Sequence, residues 1–323
     1  MTVLLTTSPG FGKYGAVSSR LEELGWELIR CVDTTKPDGG VAEHIGRADY
    51  LVVGLVPVTS ETVAQGANLK AVLKHGVGID NIDITACTKA SLPVLNTPGA
   101  NADAVAELAI GMMFSLARNI VAGHHSVISG GWNRTIGTQV GGKTLGIIGL
   151  GNIGKSLALK AHALGMTVIA QDAYPDITFA KDNGIDFVDV DTLLAKSDYV
   201  SLHIFGGTEN TAFINADKLA LMKPDACLLN LARGEVVDID ALSDALHNDR
   251  LGGAGIDAYV TEPPQTSHPI FSHPRVVFTP HTGADTLEAM ANVGLMNISD
   301  IEALMRGEQP KRVLNPEVFG GLT

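Results

Sequence analysis

A protein of two doubly wound α/β domains, each built on a parallel sheet, is what this sequence predicts. Short apolar runs alternate with amphipathic stretches from one end of the chain to the other. A glycine-rich turn between a strand-like and a helix-like run lies near the middle. The 323 residues exceed what a single hydrophobic core usually sustains, so two domains are expected.

In the first half the strand-like runs are Val3–Thr6, Glu27–Val32, Tyr50–Leu55, Ala71–Lys74 and Val94–Leu95. Amphipathic stretches such as Gly15–Leu24 and Val41–Ile45 fall between them, which is the rhythm of a parallel sheet with crossover helices. Residues 101–128 read as one long apolar helix, followed by turn-rich sequence at 129–133 and 137–142. A second series begins at Thr144–Ile148 and continues with Thr167–Gln171, Tyr199–Ile204, Cys227–Leu231, Ala254–Ile256 and Val276–Phe278. Helical patterns lie between them, including Ile153–Leu164 and Ile239–Leu246, and Asp285–Met305 reads as a closing helix.

Composition narrows the function classes. A net charge of −12 argues against a nucleic-acid surface, because phosphates need a basic face. An anionic substrate would need a locally positive pocket. The cysteines Cys31, Cys87 and Cys227 are too far apart for metal-ligand spacing or a disulfide framework, so no metal site is expected. No run approaches the roughly 18 apolar residues of a membrane span, and the first residues lack a basic leader segment. A cytoplasmic protein with no membrane partner is expected.

The turn Gly149-Leu150-Gly151-Asn152-Ile153-Gly154 has the spacing of a dinucleotide-binding loop. Gly149 would permit the tight turn, Gly151 would let a pyrophosphate approach the backbone, and Gly154 would let helix and strand pack closely. Asn152 and Ile153 open the helix whose free N–H groups and positive dipole end face the phosphates. The next strand ends at Asp172, 18 residues after Gly154, where a carboxylate can accept from ribose hydroxyls and repel a 2′-phosphate. NAD is therefore the expected cofactor. The bland alternative is a structural turn beside a surface aspartate, but strand, turn, helix, strand and acid occur here in order.

Three later strand ends carry polar residues: Asn230-Leu231-Ala232-Arg233-Gly234, then residues 255–263 with Asp257 and Glu262, then Thr279-Pro280-His281-Thr282-Gly283. An Arg, a carboxylate and a His at such strand ends border the ligand crevice of an open α/β sheet. They are the parts that hydride transfer to a 2-keto acid requires. Each taken singly has a structural alternative: a surface ion pair for Arg233, a loop cap for Glu262, a core or surface residue for His281.

With the glycine turn, these segments resemble the D-isomer-specific 2-hydroxyacid dehydrogenase family, which includes phosphoglycerate dehydrogenases, glyoxylate/hydroxypyruvate reductases and D-lactate-type dehydrogenases. The likeness is close over residues 223–238 and extends to 76–83 and 96–99, so it covers nearly the whole chain. It implies a Rossmann NAD-binding domain, residues 101–287, inserted in a flavodoxin-like substrate domain made of residues 1–100 and 288–323. It also implies a homodimer formed through the dinucleotide domain.

The resemblance implies roles as well. His281 would be the acid/base, Glu262 would hydrogen-bond its other ring nitrogen, and Arg233 would bind the substrate carboxylate. Ala232 and Asp257 would face the cofactor, Asp257 at the nicotinamide carboxamide. The Val77 and Gly78 N–H groups would complete the carboxylate site. The pair Glu262 and His281 argues against the related formate dehydrogenases, which place a Gln beside the His.

Two departures bear on detail. After His203 most relatives carry a proline two residues on, whereas this chain has Ile204-Phe205-Gly206-Gly207. The loop Val53–Thr59 has no positive charge, leaving Lys74 as the only nearby cation for a substrate phosphate. A small apolar or hydroxylated 2-keto acid is expected at least as readily as 3-phosphoglycerate chemistry. An NAD(H)-sensing corepressor-like binding protein is the competing class, because such relatives keep the same motifs.

Overall fold

The computed structural model describes residues 1–13 and 15–320. These form two compact units, one of residues 1–101 together with the C-terminal segment from Ala284, the other of Ala102–Gly283. The second unit is thus inserted in the sequence of the first, and residues 284–287 belong with the outer unit.

The outer unit contains β1 (Val3–Thr6), α1 (Gly15–Leu24), β2 (Glu27–Arg30), β3 (Tyr50–Val53), α2 (Ser60–Gln65), β4 (Ala71–Lys74), α3 (Ile84–Lys89) and β5 (Val94–Leu95). Its parallel sheet has the order β2-β1-β3-β4-β5. β1, β3 and β4 are buried along their whole length, which is why they read as unbroken apolar runs. Val41–Ile45 departs from the expected helix: the segment makes two short 3₁₀ turns, and left-handed Gly40 at their start offers no side-chain cap.

The inserted unit contains α4 (Ala102–Arg118), α5 (Ile120–Ile128), β6 (Thr144–Ile148), α6 (Asn152–Ala163), β7 (Thr167–Gln171), α7 (Ile177–Asp182), β8 (Asp186–Phe187), α8 (Val190–Lys196), β9 (Tyr199–Leu202), α9 (Ala216–Leu221), β10 (Cys227–Asn230), α10 (Ile239–His247), β11 (Gly253–Ile256) and β12 (Val276–Phe278). The seven parallel strands run β12-β11-β10-β9-β6-β7-β8. β6 and β9 are neighbours, so the chain reverses its direction of travel between them; that switch point is where such sheets bind ligands.

The single helix expected over 101–128 is instead two helices bent by 63°. Asn119 ends the first with φ 53° and ψ 41°, a left-handed conformation that Asn tolerates better than most residues. No single helix among the described residues is long and apolar enough to cross a membrane. The apolar face of α4 is buried in the core, where Ala106 and Ala109 join Ala158 and Ala161 of α6.

The outer unit is closed by α11 (Leu287–Met305), capped by the Thr286 hydroxyl, which accepts from the Ala289 N–H. Beyond it Val313 pairs antiparallel with Leu95, and the buried Asn315 side chain accepts from the Val94 N–H at 2.7 Å. Arg312 secures this return by a two-point pair with Asp300, at 2.6 and 3.2 Å. Asp300 is only 3% exposed, and its burial raises the carboxyl above the ordinary range although Arg312 opposes the shift. Arg312→Ala should therefore cost about 3 kcal/mol at neutral pH by stranding a buried charge. Loss of Arg312 raises the carboxyl further, so the deficit should shrink as the pH falls and the neutral acid forms. Urea melts of wild type and variant at pH 7.5 and 5 check both the size and the sign.

Candidate active site

Five peptides of the inserted unit place the predicted residues at the C-terminal ends of its strands. After β6, Gly149 takes φ 96°, and its N–H donates to the Gln171 carbonyl at 2.8 Å. A Cβ there would meet the His203 carbonyl oxygen at 2.6 Å, so only glycine lets the turn lie against the end of β9. Gly154 packs as closely on the Gly149 carbonyl. At Gly151, by contrast, a Cβ would meet nothing, and α6 begins at Asn152 without a side-chain cap. The N-terminus of a 12-residue helix is thus open above a bare backbone, as a pyrophosphate requires.

Asp172 directly follows β7. Its carboxylate accepts from the Leu150 N–H at 2.6 Å and from the Tyr174 N–H at 2.8 Å, tying the glycine turn to the second strand. Beside it is a hollow of about 400 Å³ bordered by Pro175, Val188, Asp189 and Val190. An apolar slot next to a carboxylate suits an adenosine whose 2′-hydroxyl is free. These features together fit NAD.

After β10, the turn that carries Arg233 is held by Asn230, whose amide donates to the Arg233 carbonyl (2.9 Å) and accepts from the Ala232 N–H (3.1 Å). Arg233 Nη1 donates to the Ala232 carbonyl at 2.8 Å. Gly234 lies so close to the Tyr259–Val260 peptide that any Cβ would collide with backbone. The arginine turn and the Glu262 segment are thereby packed as one piece.

His281 Nδ1 and Glu262 Oε1 are 2.7 Å apart, with both side chains about 30% exposed. Burial works against the Glu262 charge, but the His281 hydrogen bond and charge, the Tyr259 N–H and Arg233 outweigh it. The carboxyl is held below its ordinary range. His281 Nε2 has no hydrogen-bond partner among the described residues. Two other histidines at strand ends differ: burial, aided for His75 by Lys74, pushes His75 and His203 each down to about 4. They stay uncharged at neutral pH.

Asp257 is 3% exposed and receives three hydrogen bonds from the loop that carries His281. The Thr279 hydroxyl donates at 2.6 Å, and the Thr282 and Gly283 N–H groups each at 2.9 Å. These bonds hold His281 at φ 53°, a left-handed geometry costly for a histidine. Asn230, Tyr259 and Thr279 received no role from the sequence. Asn230 acts on its own turn, Thr279 on the Asp257 side chain and Tyr259 on the distant Thr279 carbonyl, and only the strand-end position hinted at them.

In the outer unit the Val77 and Gly78 N–H groups have no acceptor among the described residues. Asn96 donates to the Val77 carbonyl, and Thr97 donates twice to that of Gly76, so the turn is fixed with its N–H groups open. Lys74 is differently placed from a phosphate ligand. It is 6% exposed, and its ammonium donates to the Gly54 carbonyl (2.5 Å) and to Asn81 Oδ1 (2.7 Å). Asn81 in turn donates to the carbonyls of Gly54 and Val56, so Lys74 and Asn81 brace the Val53–Thr59 loop. No cluster of three or more His, Cys, Asp or Glu among the described residues could hold a metal ion.

Comparison with known proteins shows the family of the chain. Residues 110–283 match the family model described as D-isomer specific 2-hydroxyacid dehydrogenase, NAD binding domain. The chain is 39% identical over 262 residues to a hydroxypyruvate reductase of Thermotoga maritima, covering 80% of this chain and 85% of that one. It is 36% identical over 299 residues to a D-3-phosphoglycerate dehydrogenase of Methanocaldococcus jannaschii, covering 91% of this chain but only 56% of the relative, so it spans about half the length of that protein. A solved D-lactate dehydrogenase from Aquifex aeolicus, in complex with NAD and lactic acid, superposes with a TM-score of 0.83 at 25% identity, covering 97% of this chain and 99% of that one. The chain belongs to the D-isomer specific 2-hydroxyacid dehydrogenase family and carries that family's NAD-binding domain.

Proposed function

We propose that the protein interconverts a 2-keto acid and a D-2-hydroxy acid, with His281 as the proton donor and acceptor. The observation that carries this reading is the 2.7 Å bond between His281 Nδ1 and Glu262, which leaves Nε2 without a hydrogen-bond partner among the described residues. Bound NAD(H) supplies the two-electron exchange. With Nδ1–H given to Glu262, a second proton can reside only on Nε2. That proton passes to the carbonyl oxygen in reduction, and the neutral ring takes it back from the hydroxyl in oxidation. The planar fork of Arg233 suits a carboxylate and the adjacent carbonyl. The open Val77 and Gly78 N–H groups suit a carboxylate oxygen as well. Asp257 is assigned the nicotinamide carboxamide in addition to its bonds to the His281 loop.

The substrate proposed is not phosphorylated. The ammonium of Lys74 is committed to Gly54 and Asn81, and residues 53–59 bring no other cation. With NADH and a panel of 2-keto acids, kcat/KM for hydroxypyruvate, glyoxylate or a branched acid should exceed that for 3-phosphohydroxypyruvate at least about tenfold, the discrimination worth one lost charged hydrogen bond. Preference for the phosphorylated acid would overturn the substrate class. NADH binding without turnover of any acid in the panel would favour the corepressor-like reading.

The protein is further proposed to be a homodimer through α5 and the segment after it. α5 buries none of its residues, and the chain beyond it exposes Trp132 (79%) and Ile136 (100%). An apolar patch of this kind seeks a partner, and a second copy presents the same surface. The double variant Trp132→Glu, Ile136→Asp should sediment as a monomer where the wild type sediments as a dimer. An unchanged sedimentation coefficient would sink this assignment.

A further inference from the structure

Within the inserted unit is a cavity of about 420 Å³ that Asn230, Gly234 and Tyr259 border but that Arg233, Asp257, Glu262 and His281 do not line. Its walls are Ile239 and Leu242 of α10, Ile256 of β11, Phe278 of β12, and Ile270 and Phe271 from the 3₁₀ turn at 269–272. The pocket opens to solvent beside Val260, Thr261 and Gln265, while Leu242, Ile256 and Ile270 form a buried apolar floor. An engineered apolar cavity of roughly 150 Å³ already binds benzene. The space here admits two fused rings with a substituent.

The lining also says what kind of molecule fits. It contains no Lys, Arg, Asp or Glu. Its one histidine, His268, is occupied: Nε2 pairs with Asp240 at 2.9 Å and Nδ1 accepts from the Ile270 N–H. The remaining polar groups, among them Thr261, Gln265 and Ser267, offer neutral hydrogen bonds. A charged ligand would be desolvated there without a counter-charge.

Tyr259 connects this cavity to the His281 site. Its ring lines the void and lies nearly parallel to Phe271, 6.2 Å between centroids, while Phe271 stacks on Phe278 at 4.8 Å. Its hydroxyl donates to the Thr279 carbonyl at 2.8 Å, two residues before His281, and its N–H donates to Glu262 Oε1 at 3.2 Å. Tyr259 thus joins the cavity wall to the backbone before His281 through its hydroxyl and to Glu262 through its N–H.

We propose that the cavity is an effector site for an uncharged, ring-bearing small molecule, whose occupancy Tyr259 relays to Glu262 and His281. The relay rests on the catalytic reading above; the binding does not. The test is titration of indole into the full chain loaded with NAD, followed by the methyl resonances of Ile239, Leu242, Ile256 and Ile270. Saturable shifts at these methyls are expected, with at least a twofold change in kcat for keto-acid reduction at the same half-saturating indole concentration. Ile239→Trp should plug the cavity and weaken indole binding at least tenfold; Ser267→Trp, at its exposed rim, serves if that variant does not fold. Tyr259→Phe should still bind indole but lose the kcat response. Shifts that are absent up to the solubility limit, or unaltered by the plugging variant, would overturn the site. Binding that leaves an active enzyme's kcat unchanged would overturn the relay. An enzyme with no turnover at all would overturn the catalytic reading, while the methyl shifts still report on the cavity.

Discussion

His281→Ala is expected to lower kcat for keto-acid reduction by on the order of 10²–10⁴-fold while leaving the affinity for NADH nearly unchanged. The variant removes the only group proposed to hand a proton to the carbonyl oxygen. The glycine turn and Asp172 are untouched by it, since their bonds involve Gln171, Leu150 and Tyr174. Glu262→Gln keeps the side chain's shape and removes its charge, so it should retain more activity than His281→Ala. Its reduction pH profile should differ from that of the wild type, because the ring loses the carboxylate that accepts from Nδ1. In the wild type Glu262 is held below its ordinary range, so its carboxylate survives mild acid and is lost only as the pH falls through that lowered value. Stopped-flow NADH binding and steady-state pH profiles of both variants check these statements. Full turnover by His281→Ala would refute the proton-transfer role.

Asp257→Ala is expected to damage stability and rate together. Three donors now satisfied by one buried carboxylate would lose their acceptor: the Thr279 hydroxyl and the Thr282 and Gly283 N–H groups. At roughly 1–3 kcal/mol for each stranded group, partly relieved by water entering the space, the fold should lose about 4 kcal/mol. The left-handed His281 would also lose the bonds that hold it, and the loop should relax to a more populated geometry. The rate should then fall beyond what the lost stability explains. Asp257→Asn separates the effects, because its amide keeps one acceptor oxygen but sets its NH₂ against a backbone donor. Thermal melts and kcat of both variants, measured below their unfolding transitions, test this. A variant that melts early yet keeps the wild-type kcat would show that Asp257 does not position His281.

The two sheets were legible in the sequence because parallel strands buried on both faces must be apolar throughout. Their ends were less legible. The runs Glu27–Val32, Tyr50–Leu55 and Tyr199–Ile204 continue in apolar residues past the last paired residue, whereas the strands stop at Arg30, Val53 and Leu202. Past these ends Val32 is 41% and Leu55 60% exposed, so apolar side chains also occur on the loops and composition does not mark the boundary. The break at Asn119 was hidden for a related reason. Asn is unremarkable inside a helical pattern, and its left-handed geometry follows from where the chain must turn.

By itself the sequence determined the parallel-sheet fold class, the dinucleotide turn and the acidic end of the next strand, because each is a local pattern with a local physical cause. Tertiary structure decided the rest. It committed Lys74 to Gly54 and Asn81, made Asp257 the anchor of the His281 loop, brought Glu262 to 2.7 Å from a histidine 19 residues away, and left an apolar cavity beside Tyr259. Hydrogen bonds and voids of that kind are set by how strand ends and loops distant in sequence pack together, and no spacing along the chain encodes them.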